Sequence, residues 1–121
     1  PRTTCYRQTI VIFVRDIQQI DKQNSMSYYF IAQIKINNEI EYQKYIDKAG
    51  DIFKKYNGEY LSVDNDPVIL EGEWDYTRAV LIKFKSKNDF IDWYNSEEYK
   101  ETLEYRLKAA DCDTILIKGL K

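Results

Sequence analysis

In the stretch "YYFIAQIKI", residues 28–36, Gln33 and Lys35 fall on one side while Ala32, Ile34 and Ile36 fall on the other. That two-residue period, in a run rich in β-branched and aromatic residues, predicts a strand. The period then lengthens. Through "NNEIEYQKYIDKAGDIFKKYNG" the residues Ile40, Tyr45, Ile46, Ala49, Ile52, Phe53 and Tyr56 mark the stripe of an amphipathic helix. An asparagine caps its front, and Asn57-Gly58 stops it. Gly50 inside it costs about 1 kcal/mol relative to alanine, which the apolar face outweighs. "EYLSVD" at 59–64 alternates weakly, and "NDP" turns into "VILEGEW" at 68–74. Two short strands are expected there, as a hairpin or a bent excursion.

"YTRAVLIKF" is the next strand, with Val80, Ile82 and Phe84 on one face and Ala79 and Leu81 on the other. Ser86 followed by Asp89 has the form of a capping box and opens a short helix through Phe90, Ile91 and Trp93. Ser96 opens another helix, with Glu97 and Glu98 in the first turn where the helix dipole favours negative charge, running to about Ala110. "CDTILIKGL" closes the chain as a final strand. Two βαβ-type crossovers in this order predict an α+β, ferredoxin-like βαββαβ sandwich, an antiparallel sheet with its helices on one face. The other face of such a sheet should be wet. Here the strands are apolar on both sides, at Phe30 and Ile31, Leu81 and Ile82, Ile115 and Leu116, so a homodimer packed sheet on sheet is expected.

At 121 residues the chain has room for one core. Residues 1–25 read differently from the rest. Arg2, Arg7, Arg15 and Lys22 against Asp16 and Asp21 give them a charge of +2, which leaves −4 on residues 26–121 for the net −2. The methionine at position 26 stands just before the first strand, so residues 1–25 are expected to be an upstream or cloning-derived extension. The alternative is a working arm whose strand, Ile10 to Val14, adds to a sheet edge. That apolar run is too short for a membrane span.

Charge and composition narrow the chemistry. The acidic balance, with lysines interleaved among acids, offers no field for nucleic acid. Cys5 and Cys112 lack metal-ligand spacing, and a reducing cytoplasm is the expected location. The sequence contains no histidine, which removes the commonest metal ligand and the commonest general base at neutral pH. Neither metal nor cofactor is expected. Eleven tyrosines suit interfaces and pocket walls with one dry end and one wet end.

Residues 27–120 resemble the family of bacterial proteins known as domain of unknown function 1330, in the dimeric α+β barrel group. The resemblance rests on "YYFIAQIKI", "YNGEYL", "VILEGEW" with Arg78 after it, "WYNSEEY" with Arg106 downstream, and "ILIKGL". It implies a ferredoxin-like protomer that dimerises through its sheet and says little about activity. Relatives of the broader fold include cofactor-independent monooxygenases, muconolactone isomerase-like enzymes and haem-processing proteins, and shared fold does not transfer chemistry.

In this fold a pocket lies between sheet and helices, and Glu71, Trp74, Arg78, Tyr94, Tyr99 and Arg106 are the candidates to line it. Either arginine suits a carboxylate through paired hydrogen bonds, and Glu71 suits a proton acceptor if burial raises its pKa. Each has a structural alternative. Trp74 and Trp93 suit core anchors, Arg106 an ion pair with Glu101 or Glu104, and Glu71 solvent or a pair with Arg78. Tyr94 and Tyr99 suit the helix junction, and Ser96 a cap rather than a nucleophile. Three function classes remain: a small-molecule-binding protein or metal-free enzyme acting on a small organic acid or aromatic compound, a non-catalytic metabolite sensor, and a structural dimer. Haem processing ranks lower without histidine, although tyrosine can ligate haem iron.

Overall fold

The computed structural model describes residues 26–121, so the expectations for residues 1–25 and the Ile10 to Val14 strand lie outside the described residues. The elements are β1 (Tyr28–Ile36), α1 (Glu39–Lys54), β2 (Gly58–Asp64), β3 (Arg78–Phe84), α2 (Lys87–Tyr94), α3 (Glu97–Ala109) and β4 (Ala110–Lys118). The sheet runs β2-β3-β1-β4 with every pairing antiparallel. This is the expected ferredoxin-like α+β sandwich. No helix among the described residues is long and apolar enough to cross a membrane.

The helices begin where short polar side chains satisfy their free N–H groups. Asn38 accepts from the Glu41 amide, Ser86 from that of Asp89 and Ser96 from that of Tyr99, each at 3.1 Å. Asn57, at φ 62°, takes the left-handed conformation that ends α1. One sheet face carries Phe30, Ala32, Ile34, Val80, Ile82 and Phe84, all buried, beneath Phe53, Trp93 and Tyr99 from the three helices. Trp93 is fully buried and meets Phe30 edge-on at 5.5 Å. It is a core anchor.

Two expectations are corrected. "VILEGEW" forms no strand: residues 65–77 are a loop. Both edges of β3 are taken, by β2 and β1, and the run does not pair with the outer edge of β2 either, which leaves Val68 and Leu70 exposed. Ile40 lies off the buried stripe of α1, 77% exposed, and Tyr42 occupies the stripe instead. The loop's end is fastened down, because Lys35 pairs with Asp75 at 2.9 Å and the Tyr76 hydroxyl donates to Asp113.

The outer sheet face is apolar at its centre. Ile31 lies opposite Leu81 on one side and Ile115 on the other, and Tyr29 lies opposite Ile117. Ile115 is 56% exposed and Ile117 44%.

Candidate functional site

Two arginines sit in phase with buried residues rather than polar ones. Arg78 opens β3, and strand alternation turns it to the same face as Val80, Ile82 and Phe84. Arg106 shares the inner stripe of α3 with Tyr99, Thr102 and Ala109. They retain 8% and 4% exposure. Both line one cavity between the sheet and α1 and α3, floored by Ile34, Val80 and Ile82 and walled by Tyr42, Tyr45 and Tyr60.

Aromatic rings hold both guanidinium groups. Arg78 lies 5.6 Å from the Tyr42 ring and Arg106 5.7 Å from the Tyr45 ring. Those tyrosines stand three residues apart on α1, with ring centroids 5.5 Å apart. The hydrogen-bonding is incomplete. Arg78 Nη1 donates to Asn65 Oδ1 at 3.2 Å, but the Nε of both arginines is buried without a partner. Among the described residues the ion pairs are Lys35–Asp75, Lys44–Glu41 and Lys55–Glu98, so neither arginine has a carboxylate. The alternative partners, Glu71 for Arg78 and Glu101 or Glu104 for Arg106, are not engaged.

The groups around the arginines are neutral. Burial pushes the Tyr42 phenol up to about 12 and the Tyr45 phenol well above its usual range. Burial likewise raises Tyr99 and Tyr60, and it raises the Cys112 thiol against the opposing pull of Arg106. The Tyr45 and Tyr99 hydroxyls bond each other at 2.8 Å. Arginine stays protonated throughout the accessible pH range, so the cavity walls carry two positive charges and no negative one. The cavity has about 20 Å³ of free volume, about one water molecule.

The six sequence candidates are thus separated. Arg78 and Arg106 line the same cavity, and Tyr99 lies beside Arg106 and bonds Tyr45 behind it. Tyr94 stacks on Phe90 at 5.3 Å within the core. Trp74 packs edge-on against Tyr76 at 5.1 Å in the loop, with its indole N–H buried and unpartnered. Glu71 is exposed in that loop. Tyr42, Tyr45, Tyr60 and Asn65 were not among the candidates. For Tyr42 the signal was its position three residues before Tyr45 on the same stripe; Asn65 and Tyr60 carried none.

The family model described as a domain of unknown function, DUF1330, matches residues 27–120. No curated protein is matched. Among solved structures, the chain is similar to the protein of unknown function RPA0582 from Rhodopseudomonas palustris, at 17% identity and TM-score 0.70, covering 88% of this chain and 95% of that one. It is similar to a hydroxynitrile lyase from Passiflora edulis at 14% identity and TM-score 0.66, covering 80% and 96%. A dimeric ferredoxin-like protein of unknown function from Thermobifida fusca aligns at 14% identity and TM-score 0.60, covering 78% and 92%. At these identities the likeness is one of fold.

Proposed function

We propose, starting from a chain that belongs to the DUF1330 family, that this protein is a homodimer that binds a small organic acid through Arg78 and Arg106. The observation that carries the reading is two buried guanidinium groups on one cavity without a carboxylate partner. Burying an unpaired charge costs several kcal/mol, and an acidic ligand offsets that cost with charge-assisted hydrogen bonds. The tyrosine walls offer an apolar surface to the carbon skeleton of a small acid. Binding is favoured over catalysis because Glu71, the candidate base, is exposed in the loop. The hydroxynitrile lyase neighbour supports a metal-free enzyme as the second reading. The dimer is supported by the exposed Ile115 and Ile117 and by the dimeric neighbour.

Thermal unfolding with and without benzoate and other small acids tests the binding. An acid at ten times its Kd adds roughly 1.4 kcal/mol, a rise of several degrees in a domain of this size. The rise should vanish in the Arg78→Met, Arg106→Met double variant. No shift with any acid would contradict the reading.

A further inference from the structure

We infer that the cavity is built for a compact dianion, a doubly charged oxyanion such as a short dicarboxylate, in preference to a monocarboxylate. The inference rests on the acid-binding reading above and adds the ligand's charge. The residues facing the cavity include two guanidinium groups, Arg78 and Arg106, and no carboxylate. The titratable neighbours that face them, Tyr42, Tyr45, Tyr60, Tyr99 and Cys112, are all held in their neutral forms by burial. A single carboxylate leaves one positive charge of the pair uncompensated in a dry site, whereas a dianion neutralises both.

The placement of the two groups supports a shared guest. Arg78 is the residue opposite Ile34 on β3, and Cys112 is opposite Ile34 on β4, beside Arg106. The arginines therefore approach the Ile34 row from its two sides, one from the sheet and one from α3. Each keeps an unpartnered Nε–H, so each has a donor for a different oxygen of the same guest. The ring contacts with Tyr42 and Tyr45 fix the guanidinium planes in advance, which lowers the ordering cost of binding. The small free volume limits the guest to a compact one. Tyr60, on the edge strand and 38% exposed, is the wall residue free to yield to it.

Calorimetric titration of the full chain with malonate, acetate and inorganic phosphate, each separately, tests this. Malonate or phosphate should bind at least about tenfold tighter than acetate, a difference of about 1.4 kcal/mol. Tighter binding of malonate assigns the dicarboxylate, and tighter binding of phosphate assigns the inorganic dianion. Arg78→Gln, which removes one charge, should bring the dianion-to-acetate ratio close to one. If that variant fails to fold, the wild-type ratio decides alone. Acetate binding as tightly as both dianions would overturn the dianion assignment while leaving acid binding in place, and absence of binding by all three and by benzoate would overturn both.

Discussion

Arg106 is held where its helix neighbours are Tyr99, Thr102 and Ala109, all buried. An arginine kept there for packing should be missed when replaced. One kept for a ligand should not, because its unpaired charge opposes folding, and replacing a buried charge by an apolar side chain of similar volume is often neutral or stabilising. Arg106→Met is therefore expected to raise the denaturant midpoint of the ligand-free protein, by about 1 kcal/mol or more, and to lose stabilisation by acids. A lowered midpoint would assign Arg106 a structural role. The buried phenols set a pH limit on the same region. Tyr42 rises from 10.0 to about 12 on folding, mainly through burial, so its neutral form is the one the fold holds. Its contribution is complete below pH 10 and is lost as pH rises toward 12. Urea midpoints measured across that window should fall, and Tyr42→Phe should flatten the fall. At this scale the site was partly legible. The arginines could be read as candidates from their types, and the alternation of β3 puts Arg78 in phase with buried residues. Their meeting could not be read, since it depends on Tyr42 and Tyr45 of a distant helix.

The elements were legible where a local rule acts alone. Ser86 and Ser96 fall where a short polar side chain must accept the first free amides, and both do so. Ser96 also donates to the Trp93 carbonyl at 2.8 Å, which joins α2 to α3. Ser96→Ala should cost about 1 kcal/mol, read as a lower denaturant midpoint with an unchanged slope, because the cap is lost while the burial that sets the slope stays. The "VILEGEW" run shows where such rules stop. Its apolar residues satisfy a strand pattern, but β2, the partner a hairpin would give it, pairs with β3 instead, and the outer edge of β2 stays open among the described residues. Which edges are open is a property of the assembled sheet.

For the whole molecule, apolar residues on both faces of the strands were visible in the sequence, and the exposed outer face follows from them. Ile31, Leu81, Ile115 and Ile117 form a patch across β3, β1 and β4 on a sheet whose other face is already covered. Sheet-on-sheet pairing of two copies removes that patch from water. Sedimentation should give a dimer for the wild-type chain and a monomer for the Ile115→Glu, Ile117→Glu variant with its circular dichroism unchanged. A wild-type monomer would contradict the pairing. The proposed acid site needs Arg78 and Arg106 to hold one guest between them. The most direct measurement is a crystal structure grown with malonate, compared with one grown without it. Malonate is expected between the two guanidinium groups, with both Nε–H groups donating to it. A cavity filled by its own side chains or by water alone in the presence of malonate would contradict it.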